Sequence, residues 1–163
     1  GGGRHAFIDR TQEDWRRMFS TNLDGVFHVF QAAARHMTER AEKGDAFGRL
    51  VATSSMASLF GTARNEHYAA TKAAINAMIR ALAVELARYG VTANAILPGW
   101  IKSEMTEGLM ANDKFVGNVM PRIPMRRFGE PSDFGGIAVY LMSKASSYHT
   151  ADMVLIDGGY SAF

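Results

Sequence analysis

Proline is absent from the first 97 residues of this 163-residue chain, and all four prolines lie between residues 98 and 131. Proline interrupts helix interiors and central strands, because its ring fixes φ and it has no N–H to donate. The proline-free part can therefore hold long helices and inner strands without interruption. No internal repeat or low-complexity linker divides the sequence, so we expect a single domain over residues 1–163.

Two stretches have the apolar spacing of long helices. After Thr11, which is followed by Asp14 as in a capping box, apolar residues recur at three- and four-residue steps to about Arg40. A second helix is predicted over residues 68–89 and ends before Gly90, as is common at helix C-termini. Its apolar residues are mostly alanines that surround much of the helix, which predicts that it is covered on more than one side.

Short apolar runs bounded by turn residues predict strands at residues 49–54, 91–97 and 153–156. A third helix is predicted over residues 130–142, and residues 100–128 are expected to be irregular. This alternation predicts an α/β fold with a parallel sheet flanked by helices, whose ligand site lies at the carboxyl ends of the strands. The segments that follow strand ends are Ser54-Ser55, Pro98-Gly99 and Asp157-Gly158-Gly159.

The composition argues against several classes of function. Eighteen Lys and Arg residues against sixteen Asp and Glu give a formal net charge of +2, and no dense Lys/Arg cluster points to a nucleic-acid partner. The absence of cysteine excludes thiolate catalysis, iron–sulfur clusters and disulfides. The five histidines lack metal-ligand spacing, and no apolar stretch approaches the roughly 20 residues of a membrane span. We therefore expect a cytoplasmic protein without metal, membrane or nucleic-acid binding.

Three residues carry recognisable chemistry. Tyr68 and Lys72 lie one helical turn apart, and Ser55 precedes Tyr68 by thirteen residues, at the same expected edge of the sheet. Lowering a tyrosine pKa from about 10 to near 7 takes about 4 kcal/mol, which one ammonium about 4 Å away supplies at an effective dielectric of about 20. Lys72 is thus predicted to lower the pKa of Tyr68 for acid–base work, while Ser55 holds the substrate oxygen. Taken alone, each of these residues has an ordinary structural interpretation.

Together with further motifs, these residues resemble the short-chain dehydrogenase/reductase family in its compact form. The matching segments are Asn22 in Asn-Leu-Asp-Gly, Ser55 in Thr-Ser-Ser, Tyr68-Ala-Ala-Thr-Lys72, Asn94-Ala-Ile-Leu-Pro98-Gly99-Trp100-Ile101-Lys102-Ser103, Arg127-Phe-Gly-Glu-Pro131 and Asp157-Gly158-Gly159. A lone Tyr-x-x-x-Lys is a weak signal, but the whole set is specific. The resemblance implies a Rossmann-like, doubly wound parallel sheet and an enzyme that uses NAD or NADP on CH–OH groups.

The resemblance also implies a role for each catalytic residue. Tyr68 exchanges the proton of the substrate oxygen, and Ser55 positions that oxygen. Lys72 lowers the pKa of Tyr68 and binds the nicotinamide ribose, and Asn22 kinks its helix and holds a water that relays protons to Lys72.

The cofactor and substrate regions follow from the same resemblance. Pro98, Gly99, Ile101 and Ser103 form the loop against the nicotinamide, with Ser103 in place of the more usual threonine. Residues 103–128, within the irregular segment 100–128, form the substrate lid, with the methionines as an adaptable apolar wall. The substrate is expected to be a small carbonyl or alcohol, either a 3-oxoacyl thioester or a sugar or polyol. The helices of the family build dimer or tetramer contacts, so the resemblance also implies a homodimer or homotetramer.

The sequence departs from the family in lacking the glycine fingerprint for the cofactor pyrophosphate. Gly1-Gly2-Gly3 is followed by Arg-His-Ala, and no strand precedes it. The resemblance therefore implies a carboxyl-terminal catalytic portion without the pyrophosphate and adenosine sites. The alternative hypothesis is a truncated, non-catalytic fragment or an association module that acts through its two long helices.

Overall fold

The computed structural model describes residues 5–162, in which three parallel strands are flanked by helices. The strands are β1 (Gly48–Thr53), β2 (Val91–Pro98) and β3 (Met153–Ile156), and β2 lies between the other two. The helices are α1 (Gln12–Phe19), α2 (Gly25–Glu42), α3 (Glu66–Leu86), α4 (Glu107–Met110), α5 (Asp113–Val119) and α6 (Gly135–Met142). The predicted parallel sheet is confirmed. The glycine triplet Gly1–Gly3 lies outside the described residues.

The first long helical path runs from residue 12 to residue 42, close to the predicted range, but it is not uniform. Thr11 caps it, because its Oγ1 accepts a hydrogen bond from the Asp14 amide at 3.1 Å. Between α1 and α2, residues Ser20–Asp24 form a π turn, and helix periodicity alone did not indicate that turn. Single π turns inside α-helices are frequent at functional sites, and this one contains Asn22.

The core forms where α3 packs against β2. Ile75 and Ile79 of α3 are fully buried in one cluster with the alanines and leucine of β2, which are Ala93, Ala95 and Leu97. The small strand side chains let the helix approach the sheet closely. Partly buried side chains of α2, including Val26 and Phe30, pack against the same cluster. The alanine-rich α3 is therefore covered by both the sheet and α2, as its composition indicates.

The end of α3 requires a glycine. After a 3₁₀ turn at Ala87–Tyr89, Gly90 adopts φ +70° and leads the chain directly into β2. A side chain is strained at this φ.

The segment predicted to be irregular, residues 100–128, contains two short helices, α4 and α5, followed by a 3₁₀ turn at Met120–Arg122. The prediction of an irregular segment was wrong because these elements are only four and seven residues long. They are stabilised by a small cluster of their own, in which buried Val119, Ile123 and Phe128 pack against Trp100 and Phe115. The third predicted helix, residues 130–142, begins as a 3₁₀ turn at Pro131–Phe134 and continues as α6.

The carboxyl ends of the three strands meet at one edge of the sheet, as predicted. The Ser54 amide donates to the Ile96 carbonyl at 2.8 Å, and the Gly99 amide donates to the Ile156 carbonyl at 2.9 Å. These bonds place the loops after β1, β2 and β3 side by side. Among residues 5–162, no helix combines the length and apolar character needed to cross a bilayer.

Candidate active site

A polar network on α3 holds the loop that carries Ser55. The Ser54 hydroxyl donates to the Lys72 carbonyl at 3.1 Å, and the Asn76 amide donates to the Ser58 hydroxyl at 2.8 Å. Ser58 in turn donates to the Ser55 carbonyl at 2.6 Å. The backbone of Ser55 is therefore fixed from the helix that bears the other candidate residues.

Tyr68 lies half-buried in the first turns of α3, beside Ser55. Burial raises the pKa of Tyr68 above its ordinary value of 10, and hydrogen bonding with the Ser55 hydroxyl opposes that rise. The expected proximity of Ser55 and Tyr68 thus holds. The Tyr68 phenol is neutral at physiological pH in this environment, because desolvation penalises the phenolate.

The predicted effect of Lys72 on Tyr68 is wrong for the site as it stands. The Lys72 ammonium donates to the Thr53 carbonyl at 2.8 Å and lies 5.6 Å from the centre of the Tyr68 ring. Burial also lowers the pKa of Lys72. The pKa of Tyr68 is raised rather than lowered, because desolvation outweighs the favourable interactions of the phenolate.

Lys72 nevertheless keeps hydrogen-bonding capacity for a ligand. An ammonium has three donors, and the bond to Thr53 uses one of them. The remaining donors suit hydroxyl oxygens such as those of a ribose. This donor set fits the nicotinamide ribose that the family resemblance assigns to Lys72.

Asn22 connects the π turn to the candidate catalytic helix. Its amide donates to the Thr71 hydroxyl at 3.1 Å, and a second contact joins it to the Met18 sulfur at 3.1 Å. Thr71 is fully buried and donates to the Tyr68 carbonyl at 2.8 Å. Asn22 therefore lies next to the backbone that carries Tyr68 and Lys72, and the helix departs from regular α geometry at its position, as the resemblance implied.

The candidate nicotinamide loop leaves β2 at Pro98 and is tied to the segment that follows the lid. A β-bridge joins Ile101 to Gly129, and the Lys102 amide donates to the Gly129 carbonyl at 2.9 Å. At Gly99 a Cβ would lie 2.6 Å from the Asp157 Cα, so only glycine permits this approach of two strand ends.

Ser103 is exposed, and its hydroxyl pairs with Thr106 rather than with the other candidate residues. Its Oγ lies 3.1 Å from the Thr106 Oγ1, and its amide donates to the same oxygen at 3.0 Å. Thr106 donates in turn to the Ile101 carbonyl at 2.6 Å. Thr106 therefore fixes the shape of the loop that Ser103 ends.

One cavity adjoins the nicotinamide loop, and a groove lies between α2 and α3. The cavity has a volume of about 220 Å³ and is bounded by Trp100, Ile101, Arg127 and Asp157. The groove is larger, at about 370 Å³. The smaller cavity lies beside the loop that follows β2, and Ser55, Tyr68 and Lys72 are not among the residues that line it.

The methionines of the lid divide into two groups. Met110 and Met120 pack against the lid cluster, whereas Met105 and Met125 are 81% and 60% exposed. Met125 also borders the smaller cavity. Met110 and Met120 therefore pack within the lid, whereas Met105 and Met125 expose apolar surface.

Sequence reasoning missed several supporting residues, which are Ser58, Thr71, Asn76, Thr106 and the ion pair of Arg127 with Asp133. The Arg127 guanidinium binds the Asp133 carboxylate through two bonds of 2.7 and 2.9 Å. Asn76 follows Tyr68 and Lys72 at four-residue steps, so a polar stripe on an alanine-rich helix was the available signal. Thr71 and Arg127 lie within two of the matching family segments, and no comparable pattern marks Ser58, Thr106 or Asp133.

Known proteins match nearly the whole chain. Residues 2–161 match the family model described as enoyl-(acyl carrier protein) reductase. The 5-keto-D-gluconate 5-reductase of Escherichia coli is 36% identical over 156 residues, covering 96% of this chain and 59% of the relative. The 3-oxoacyl-[acyl-carrier-protein] reductase FabG of Chlamydia pneumoniae is 34% identical over 149 residues, covering 91% of this chain and 57% of the relative.

Solved structures agree with the fold. The crystal structure of a gluconate 5-dehydrogenase from Burkholderia cenocepacia, in complex with NADP and tartrate, superposes with a TM-score of 0.93 at 31% identity. The alignment covers 99% of this chain and 61% of that one. This chain thus spans about three fifths of the length of the proteins that it matches. Its motifs, its sheet and these similarities agree: the chain belongs to the short-chain dehydrogenase/reductase family.

Proposed function

We propose that residues 1–163 form the catalytic portion of an NAD(P)-dependent oxidoreductase that transfers a hydride between nicotinamide and a ketone or secondary alcohol. The observation that carries this proposal is the placement of Ser55 beside Tyr68, with Lys72 one helical turn away. The relatives support a ketone, since both the 5-keto-D-gluconate reductase and the 3-oxoacyl reductase are named for one. The substrate is accordingly a keto sugar acid, a related polyol or a 3-oxoacyl thioester.

In the reducing direction, Tyr68 donates the proton to the carbonyl oxygen. Its raised pKa keeps the phenol protonated at neutral pH, so the donor is in the correct state before the reaction begins. Ser55 donates a second hydrogen bond to the same oxygen and stabilises the negative charge that develops there. A bound, reduced nicotinamide supplies the hydride that the carbonyl carbon accepts.

Lys72 and the loop after β2 hold the cofactor in this proposal. The free donors of the Lys72 ammonium bind the nicotinamide ribose, while its bond to the Thr53 carbonyl fixes the side chain. Pro98, Gly99, Ile101 and Ser103 would contact the nicotinamide when the cofactor binds. Asn22 holds Thr71 and takes part in supplying the proton that Tyr68 loses.

Replacement of Tyr68 by phenylalanine tests the proposal in the complete protein. We expect Tyr68→Phe to lower turnover about 10²- to 10⁴-fold, followed through cofactor absorbance, because a positioned acid–base group contributes that much. Tyr148→Phe is the matched control, since Tyr148 is fully exposed. Turnover of Tyr68→Phe within about tenfold of the wild type would refute the assignment, since the loss expected of an acid–base group exceeds that.

The second candidate is an association module without catalysis. The groove between α2 and α3 favours it, because Phe27, Phe30 and Leu82 give this groove an apolar lining. Titration of the 163-residue chain with NAD and NADP, together with light scattering, separates the two candidates. Saturable cofactor binding at micromolar concentrations supports the catalytic portion, whereas assembly without cofactor binding supports the module. Assembly with cofactor binding supports the expected homodimer or homotetramer.

A further inference from the structure

A buried arginine joins the segment before α1 to the start of α3. The Arg10 side chain is 4% exposed. Its Nη1 lies 3.2 Å from the His67 Nε2, and its Nη2 donates to the Arg64 carbonyl at 2.9 Å. His67 immediately precedes Tyr68 and is 2% exposed. Arg10 therefore contacts the Arg64 backbone and the His67 side chain, both of which precede Tyr68 closely in the chain.

The contact between Arg10 and His67 specifies the protonation state of the imidazole. A guanidinium only donates hydrogen bonds and stays charged, so the His67 Nε2 must accept. The imidazole is then neutral with its proton on Nδ1, an atom that is buried and has no hydrogen-bond partner among the described residues. A second proton on Nε2 would point at the arginine N–H and place two cations in contact.

Arg10 also binds the turn that precedes α3. Arg64 has φ +63°, an uncommon conformation for a residue with a side chain. Two bonds hold it: Arg10 binds its carbonyl, and its amide donates to the Glu66 Oε1 at 2.8 Å. Arg64 lies two residues before α3 begins at Glu66 and four residues before Tyr68, so the conformation of this turn affects where α3 begins and where the Tyr68 hydroxyl lies.

We propose that Arg10 and neutral His67 are positioning residues for Tyr68, and that protonation of His67 breaks their contact and lowers turnover at acidic pH. This inference rests on the proposed function, because it acts through Tyr68. Neither residue touches the reacting atoms. Their effect is to keep the first turn of α3 in the geometry in which Tyr68 meets Ser55.

The charges around His67 determine the pH range. Burial lowers the pKa of His67 below its ordinary value of 6.5, and so do the positive charges of Arg10 and Arg17. Asp14 of α1 and Glu66 of α3 act in the opposite direction but do not reverse the shift. The contact with Arg10 is thus intact at neutral pH and is lost as the pH falls below 6.5 through the lowered pKa.

Nitrogen NMR of the imidazole in the complete protein tests the protonation state without any activity. We expect His67, assigned by comparison with His67→Gln, to be neutral with its proton on Nδ1 at neutral pH. It should gain a second proton only below pH 6.5. An imidazolium, or a proton on Nε2, at neutral pH overturns the proposal.

Kinetics test the positioning role. His67→Gln retains an acceptor for Arg10 but cannot gain charge, so its rate should stay close to that of the wild type at neutral pH and fall less on acidification. His36→Gln, at an exposed site on α2, is the matched control and should keep the acidic decline of the wild type. Arg10→Met should lower kcat about tenfold with little change in KM, because a small displacement of a reacting group is costly.

Two kinetic results would count against the inference. An acidic decline in His67→Gln identical to that of the wild type overturns it, and so does an unchanged kcat in Arg10→Met. If Arg10→Met fails to fold, His67→Gln and the NMR measurement still decide. If Tyr68→Phe retains turnover, the proposed function fails instead, while the NMR measurement still reports on the Arg10–His67 contact.

Discussion

Two opposing effects act on the pKa of the Tyr68 phenol, namely burial and the hydrogen bond with Ser55. Burial raises its pKa above 10, and the hydrogen bond with Ser55 does not cancel the effect. We predict that, without bound ligand, the Tyr68 phenolate forms only above pH 10. The difference in ultraviolet absorbance between the wild type and Tyr68→Phe, followed through a pH titration, measures this ionisation. A phenolate that forms near neutral pH would mean that Lys72 leaves Thr53 and dominates the site.

Two glycines with positive φ allow a matched test of backbone strain. Gly90 (φ +70°) and Gly44 (φ +95°) both adopt left-handed conformations, but only at Gly90 would a Cβ lie under 3.0 Å from the Ala46 carbonyl. We predict that Gly90→Ala lowers the free energy of unfolding by more than the roughly 1–3 kcal/mol expected of strain alone. Gly44→Ala should stay within that range. Denaturant unfolding measures both, and equal losses would contradict the steric part of the argument.

At the scale of elements, the π turn and α3 are joined by the hydrogen bond between Asn22 and Thr71. We predict that Asn22→Ala and Thr71→Val are coupled by about 0.5–1.5 kcal/mol in a double-mutant cycle of the free energy of unfolding, because each removes the same bond. Thr150→Val, beside β2 and away from α3, is the control partner for Asn22→Ala. Additive effects of Asn22→Ala and Thr71→Val would show that the π turn does not depend on this contact.

The ion pair of Arg127 with Asp133 ties the end of the lid to the start of α6. Its hydrogen bonds, and one from the Glu130 amide, lower the pKa of Asp133 from 3.8 to about 2. A carboxyl whose pKa is lowered by folding stabilises the protein above its unfolded pKa and loses that effect as the pH falls. We predict that Asp133→Asn lowers the melting temperature above pH 3.8 and that the difference from the wild type disappears as the pH approaches 2. Asp113→Asn, at the start of α5, is the control, and a constant difference down to pH 2 would contradict the assignment.

The elements could largely be predicted from local patterns. Apolar periodicity and the cap at Thr11 predicted the first long helix. The alternation of short apolar runs with helices predicted a parallel sheet. The irregularity at Asn22 was indicated only by the family resemblance, and the lid helices were missed, because these features depend on contacts with Thr71 and with Trp100 that no local pattern contains. The direction of the Tyr68 pKa was missed for the same reason, since burial and the Lys72–Thr53 bond arise only in the folded chain.

At the scale of the molecule, the chain holds the candidate catalytic residues on one edge of one sheet. It spans about three fifths of the relatives that it matches, and its sequence lacks the glycine fingerprint for the cofactor pyrophosphate. In the proposed function, this chain therefore carries the residues for proton transfer and nicotinamide contact, and residues outside these motifs determine the choice of cofactor. The family model is described as an enoyl reductase, whereas two of the relatives are named for ketone substrates. A carbonyl carbon and a carbon–carbon double bond are therefore the two hydride acceptors to compare.

Isotope transfer in the complete protein tests the central claim most directly. Reduced nicotinamide cofactor carrying deuterium at the transferable position would be offered with 5-keto-D-gluconate, a 3-oxoacyl thioester and an enoyl thioester, and the products would be examined by mass spectrometry and NMR. We predict deuterium on the carbinol carbon of a ketone-derived product, with the rate of transfer falling about 10²- to 10⁴-fold in Tyr68→Phe. Deuterium on a former double-bond carbon alone, or transfer that is unaffected by loss of the Tyr68 hydroxyl, would contradict the account.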